Sequence, residues 1–512
     1  MSKVKIKRAI ISVHNKNHLS SLAKYLIKNN VEILSTGGTA RYLRDLDKKA
    51  KIIEISQFTE FKEILEGRVK SLHPKIYSGI LGKKSHRNHK SQLKNINVPF
   101  VDLVVVNLYP FEEVSTNTKS SQQDCIENID IGGPTLIRAA AKNFEHVVVL
   151  SDPAQYKCFI EEAIDNNNSV SLEFRHRFAQ AAFENTAHYE ATISRWFNKK
   201  KKFSEDKLSV PLKKISNLRY GENPHQKAAL FELEKSNFTK ISGKVLSYNN
   251  IYDSEVASEL AFQFKSNSCV ILKHGNPCGV SLNNNQKTAY LNALKCDSRS
   301  AFGGVIAFNS TLSAETAKEI KKIFTEIIIA PNFSQTSKKI LSEKENLILI
   351  KYKPSKSKLG LHFKTTKNFL LAQDKDEKKI THKDMKVKTK KVPSKKLLDD
   401  MIFAYIVSKY LNSNAIVLAE KLSTLGIGSG QTNRLDAAEL AIKRMKKNSK
   451  TKNAVMASDG FFPFPDIVEL CAKNMIYSVI QPGGSKNDSA VIEMSNRKKI
   501  SMIFTGIRHF KH

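Results

Sequence analysis

Between residues 270 and 280 the chain reads VILKHGNPCGV, placing Lys273, His274, Asn276 and Cys278 within six positions. Three chemistries use such side chains. A cysteine is a nucleophile once it is a thiolate. A cysteine beside a histidine is half of a zinc site. A lysine next to a histidine offers a donor to a developing oxyanion alongside a base that works near neutral pH. Zinc deamination needs H-x-E followed by P-C-x-x-C. Here Asn276 stands two residues after His274 in place of Glu, and Ser281 three after Cys278 in place of Cys. Neither the second thiolate nor the acid/base glutamate is supplied, so no catalytic metal is expected. A free cysteine behind a proline is more often packed than reactive.

A second set of candidates lies in the first 150 residues. STGGTARYL, from Ser35, reads as a strand end, a turn and a helix start. Ser35, Thr36, Gly37, Gly38 and Thr39 then form either an ordinary capped turn or a phosphate cradle of free N–H and hydroxyl groups. GRVKSLHPKIY gathers Arg68, Lys70, His73 and Lys75. NLYPFEE puts Tyr109 just past an apolar strand. NIDIGGPTLIRAAAKN runs from Asp130 into a helix carrying Arg138 and Lys142 one turn apart. Singly, each is a surface pair or a capped helix. Jointly they describe a pocket for a phosphorylated ligand, with tyrosine, lysine and aspartate at hand for proton transfer and oxyanion stabilisation.

Elements must hold these residues in place. HLSSLAKYLI sets Leu19, Leu22, Ala23, Leu26 and Ile27 on one helical face, and VEILS, KIIEIS, VDLVVVNL and HVVVLSDP read as buried strands. Strands alternating with helices predict a parallel sheet covered on both faces, with functional loops beyond the strands' carboxyl ends. The lysine-rich, unpatterned stretch 198–214 is the expected linker. A further lysine-rich region spans 334–396, where Pro393 and Ser394 open a helix with Leu397, Met401, Ala404 and Tyr405 on one face. SNSCVILKHGNPCGV and NSNAIVLAEKLSTLGIGSG echo each other, each a strand running into a glycine turn, as a duplicated lobe would.

Composition bounds the rest. A chain of 512 residues, 41% hydrophobic, predicts several packed domains. No apolar run approaches the roughly 18 residues that span a bilayer, so no membrane partner is expected. Six cysteines without repeating spacing fit a reducing cytoplasm. The 83 Lys and Arg against 49 Asp and Glu give a formal charge of +34. That excess is scattered, with no zinc-finger, basic-zipper or RNP-type motif beside it, so no nucleic-acid partner is expected. A basic surface also draws in small anionic substrates.

Ordered motifs over nearly the whole chain resemble one family. ILSTGGTA, GRVKSLHPKI, VDLVVVNLYPFEE and ENIDIGGPTLIRAAAKN, then RYGENPHQKAAL, KHGNPCGV, SAFGGVIAFN, SNAIVLA, GIGSGQTNR, ASDGFFPFPD and FTGIRHFKH, are similar to the bifunctional AICAR transformylase/IMP cyclohydrolases. The resemblance implies an α/β fold: an N-terminal methylglyoxal-synthase-like parallel-sheet domain (1–199), then two cytidine-deaminase-like α/β lobes (200–512, split near 375–395). It implies formyl transfer from the cosubstrate 10-formyltetrahydrofolate to AICAR, then closure of the formylated product, FAICAR, to IMP with loss of water. A homodimer with small-molecule substrates is implied too.

Carried over by motif, Lys273, His274 and Asn414 match the transformylase catalytic set, and Lys70, Tyr109, Asp130 and Lys142 the cyclohydrolase set. Ser12, Lys16, Arg68 and the Ser35–Thr39 turn are expected to bind the phosphorylated substrate of ring closure. Arg219, Tyr220, Asn223, His225 and Arg434 are expected on AICAR, and Phe302, Pro463, Phe464 and Asp466 on folate. The family commonly reads SVSDKTG where this chain has SVHNKNH, keeping Ser12 and Lys16 but changing Asp to Asn and Gly to His. KNFLLAQDKD likewise replaces a stretch often resembling SGGLLVQDRD.

Overall fold

The structure is a computed structural model that describes residues 3–48, 50–198, 206–354, 360–449 and 451–512. The chain divides into two compact units, Met1–Leu212 and Lys213–His512. Of the expected linker 198–214, residues 199–205 lie outside the described residues, as do 355–359 of the second lysine-rich region.

In the first unit five parallel strands form one sheet, in the order Ile52–Glu54, Glu32–Ser35, Arg8–Val13, Leu103–Asn107, Val148–Leu150. The middle of each reads apolar because both faces are covered. Leu19, Leu22, Ala23 and Leu26 of helix Leu19–Lys28 pack on one face with Ile11, Ile33 and Leu103. On the other, Leu136, Ile137 and Ala140 of helix Gly132–Lys142 pack with Ile10, Leu34 and Val104. The chain runs outward from Arg8–Val13 in one direction and returns to Leu103–Asn107 on its other side. The order therefore reverses between those two strands, where an open α/β sheet leaves its crevice.

In the second unit twelve strands make one sheet, and its halves repeat one plan. In the first half the hairpin Ser268–Lys273/Asn276–Leu282 is followed by Val305–Phe308 antiparallel, Ile327–Ala330 and Ile348–Lys351 parallel, and Thr239–Ser242 antiparallel at the edge. In the second half Ile416–Glu420/Ser423–Gly428, Val455–Ser458, Ser478–Gln481, Ser501–Phe504 and Lys386–Val387 follow with the same directions. The halves join where the two hairpins pair, Ser281 opposite Ser423. The echo read in the sequence is thus a repeated hairpin.

Strand alternation sorts the packing of both hairpins. Val270 and Leu272, with Val417 and Ala419, face a shared core containing Val256 and Leu260 of helix Tyr248–Ala261 and Met401 and Ala404 of helix Lys395–Ser408. Cys269 and Ile271, and Ile416 and Leu418, face separate cores on the opposite side. Cys278 belongs to one of these, with 7% of its surface exposed and its thiol donated to the Ile271 carbonyl at 3.4 Å. Burial pushes that thiol up to about 12, far from the thiolate a nucleophile requires. No described helix is long and apolar enough to cross a membrane.

Candidate active sites

At the sheet crevice of the first unit lies a cavity of about 690 Å³. Its floor is the carboxyl ends of the two central strands, Ser12 and Val13 beside Val106 and Asn107. Ser12, Lys16, Thr36, Gly38, Thr39, Arg68, Lys70, Tyr109 and Asp130 all line it. Thr39 fastens the turn to the floor, accepting from Val13 N at 3.3 Å and donating to Val13 O at 3.1 Å. The Ser12 and Thr36 hydroxyls meet at 3.2 Å. Helix Gly37–Leu46 therefore starts beside Ser12 and Lys16, and its free N–H groups and positive end favour an anion there.

Opposite, Asp130 stands before helix Gly132–Lys142 and accepts the Gly133 N–H at 2.8 Å and the Tyr109 N–H. Burial raises its carboxyl above the usual range, while those bonds and the charges of Lys70 and His14 pull the other way. A carboxylate so held is suited to taking up and returning a proton. Arg68 is ion-paired with Glu127 at the cavity edge.

Three expected residues stand elsewhere. The Ser35 side chain is fully buried and donates to Ile11 O at 2.7 Å, so its hydroxyl is not available to a ligand; it ties neighbouring strands together. Gly37 opens the helix without lining the cavity. Lys142 ends the eleven-residue helix that Gly132 begins, about 15 Å away along its axis, and is exposed. The fold of this unit does not bring it to Lys70, Tyr109 and Asp130. Helical spacing foretold that Lys142 and Arg138 share a face, and hid that Asp130 lies at the other end.

In the second unit the Lys273–Asn276 hairpin turn has His274 at φ 52° and Gly275 at φ 71°. Two successive left-handed residues make the tight turn that suits a twisted hairpin. Asp253, on helix Tyr248–Ala261, holds it open-handed: Gly275 N donates to Oδ1 at 2.7 Å, and His274 N also donates to this carboxylate. The second lobe repeats the device. Asp400 of helix Lys395–Ser408 accepts Lys421 N at 3.0 Å and Leu422 N at 2.6 Å across the equivalent turn. The backbone arrangement is therefore a property of the lobe, and only the first copy carries histidine on it.

His274 is exposed, and Lys273 donates its ammonium to the Phe302 carbonyl at 2.7 Å. Asn276 joins the turn to the second lobe: its Oδ1 accepts from Asn412 N at 3.1 Å and Ser429 Oγ at 2.8 Å. Asn414, two residues beyond Asn412, donates to Gln431 O at 2.9 Å and accepts from Arg434 Nη2 at 2.7 Å. Arg434 is buried and anchored by Ser458 Oγ at 2.9 Å and by Asp459, which is fully buried. Asn276, Asn414 and Arg434 thus tie the turn that carries Lys273 and His274 to the second lobe.

The remaining expected residues lie outside it. Arg219 stacks on Tyr220, its guanidinium 4.6 Å from the ring centroid, and Tyr220 O accepts from Tyr248 N at the start of the helix that carries Asp253. Asn223 donates to Gln226 Oε1 at 3.1 Å, and both Asn223 and His225 are exposed. The Phe302 and Phe464 rings are each 58% exposed, flat apolar surfaces open to solvent. Pro463 accepts from Asn487 at 2.8 Å, and Asp466 starts helix Asp466–Lys473.

Several residues escaped sequence reasoning. Asp253 and Asp459 lie in stretches that resemble the family, LSYNNIYDSE and ASDGFFPFPD, but nothing local assigns either a role. The C-terminal tail returns to the site: Phe510 lies against the Arg434 guanidinium at 5.8 Å, and Lys511 Nζ is 3.5 Å from Gly275 O. Burial lowers the Lys511 ammonium, with Glu259 and Asp253 opposing. His14, in the first cavity, stood inside the SVHNKNH stretch itself and was a readable signal.

Replacing Asp253 tests whether the turn must be held. Asp253→Ala leaves two N–H groups without their acceptor, and kcat of the formyl transfer that the resemblance implies is expected to fall at least about tenfold, more than KM for AICAR rises. Asp253→Asn, which keeps one acceptor oxygen, recovers part of the loss, and ring closure is unchanged in both. Steady-state kinetics of the two half-reactions read this directly. Equal kcat in the alanine variant contradicts the positioning role.

Comparison with known proteins adds the following. A family model described as AICARFT/IMPCHase bienzyme matches residues 140–444, and an MGS-like domain matches residues 18–135. A bifunctional purine biosynthesis protein PurH from Caldicellulosiruptor saccharolyticus is 46% identical over 99% of this chain and 100% of its own length. Those named alike from Acetivibrio thermocellus and Buchnera aphidicola are 43% and 44% identical, each over 99% of this chain and 100% and 99% of their own.

Proposed function

The chain belongs to the AICARFT/IMPCHase bienzyme family, and we propose that its two activities are divided between its two units, ring closure in the cavity of residues 1–212 and formyl transfer at the Lys273–His274 turn. It is a folate-dependent enzyme of purine biosynthesis that formylates AICAR and closes the product to IMP. The proposal concerns which residues do so, with 10-formyltetrahydrofolate as the donor and no catalytic metal. The protein is further proposed to be cytoplasmic and homodimeric and to bind no nucleic acid.

For formyl transfer, the amine of AICAR attacks the formyl carbon. His274 takes the proton the amine loses, and Lys273 donates to the oxyanion of the tetrahedral intermediate. As the oxyanion collapses the C–N bond to the folate breaks, and the departing folate nitrogen takes the proton held by His274. Asn414, held by Arg434, orients the reacting groups. Arg219, Tyr220, Asn223 and His225 serve the nucleotide, and Phe302, Pro463, Phe464 and Asp466 the folate.

For ring closure, the carboxamide nitrogen attacks the formyl carbon and loses a proton to Asp130. Tyr109 and Lys70 donate to the developing oxyanion, which becomes a hydroxyl. Asp130 returns its proton as that hydroxyl leaves as water, and the proton the former formamide nitrogen gives up as the C=N bond forms restores the donor, Lys70 or Tyr109, that protonated the oxyanion. Ser12, Lys16 and the Thr36–Thr39 turn bind the phosphate.

The observation that carries this reading is that Lys70, Tyr109 and Asp130 converge on one cavity with a helix N-terminus on its wall. Supplied with AICAR and 10-formyltetrahydrofolate in the presence of a metal chelator, the protein is expected to release tetrahydrofolate and IMP. Loss of either product in chelator overturns the metal-free account of that half.

A further inference from the structure

The ring-closure steps above leave His14 unused, an ionisable side chain of the cavity that stands apart from Glu66 and the Arg68–Glu127 ion pair. Aligned on Ser12 and Lys16, the pattern SVSDKTG has serine where this chain has His14. The His14 ring lies edge-on to Tyr109, centroids 5.6 Å apart and planes at 67°. Its loop is pinned: His14 N and Asn15 N donate to Asn107 Oδ1 at 2.8 and 2.9 Å, and Asn107 Nδ2 returns a bond to Asn15 O at 2.8 Å. The residue before it, Val13, is the one clasped by Thr39 at the helix N-terminus. His14 therefore stands between the phosphate cradle and the proton-moving end, on a backbone that holds it there.

The charged and titratable groups around it are Lys16 on its own loop, Glu66 and Lys70, the Arg68–Glu127 ion pair, and Tyr109 with Asp130. Lys16 and Lys70 are the cationic groups of this cavity that remain when the Arg68–Glu127 pair is set aside. A protonated imidazole adds to them.

We propose that His14 binds the phosphate of the ring-closure substrate in its imidazolium form, so that capture of that substrate by this chain depends on pH. Serine at this position gives a hydrogen bond without a charge. The inference rests on the reading of the cavity as the ring-closure site.

The test is KM for FAICAR, from about pH 5.5 to 8.5, the span in which histidine changes charge, in the wild type and His14→Ser. The substrate phosphate also titrates, near pH 6, but equally for both proteins, so the ratio of KM values isolates His14. That ratio, variant over wild type, is expected to be about three- to tenfold at the acid end, attenuated because His14 is exposed, and to fall to about one at the alkaline end. His14→Lys, whose charge persists over this span, is expected to keep a low KM throughout. A ratio that is flat with pH, or that rises with it, overturns the proposal. Wild-type protein that makes no IMP at any pH sinks the reading of the cavity instead.

Discussion

His274→Asn is expected to lower the formyl-transfer kcat by about 10² to 10⁴-fold, the usual worth of a general base, while FAICAR is still closed to IMP at the wild-type rate. Asparagine is the informative replacement because His274 sits at φ 52°, a left-handed conformation that asparagine adopts more readily than alanine. The turn is held through backbone N–H groups to Asp253, which the substitution leaves in place. Lost activity then reports the imidazole and not a disordered hairpin. Lys273→Met keeps most of the aliphatic stem and removes the ammonium bonded to Phe302 O. It is expected to cost about 10² to 10³-fold in kcat, as loss of an oxyanion donor does. Stopped-release assays of tetrahydrofolate measure both. Transfer within threefold of wild type in either variant contradicts the assignment.

Asp130→Asn is the complementary experiment. The amide keeps an oxygen to accept the Gly133 N–H, so the start of the helix survives, but it cannot take a proton. Ring closure is expected to fall by at least about 10²-fold with formyl transfer intact. The pH profile sharpens the claim. The working form is the carboxylate, and burial raises its pKa above the ordinary carboxylate range. Activity is therefore present above that raised pKa and lost as pH falls through it. The acid limb should lie at higher pH than for an exposed aspartate, and the residual activity of Asp130→Asn should lack it.

Much of this was legible in the chain. Period-3.6 patterns reported the helices of the first unit, and apolar runs its strands, because both faces of each strand had to be apolar. The motif spacing that set Asp130 before Gly132 and Gly133 announced a helix start, and the Thr-Gly-Gly-Thr turn announced another; topology brings both to the same crevice. Lys142 is grouped with Asp130 by the resemblance alone, and spacing along a helix tells nothing of which end faces the cavity. Ser35 looked like its neighbours in the turn, but strand geometry points its hydroxyl inward to Ile11. Asp253, Asp459 and Lys511 lie in stretches that resemble the family, but their roles were not legible because they depend on contacts between distant segments. The repeated hairpin was faintly visible; its shared device, an aspartate receiving both turn N–H groups, shows only in three dimensions.

The central claim, two separate sites in one chain, is met most directly by mixing. His274→Asn supplied with AICAR and 10-formyltetrahydrofolate makes no IMP, and Asp130→Asn releases tetrahydrofolate and FAICAR without closing it. Combined in one vessel, the two proteins are predicted to restore IMP formation, each supplying the half the other lacks. A mixture that yields no IMP, although each variant retains its own half-reaction, contradicts the account.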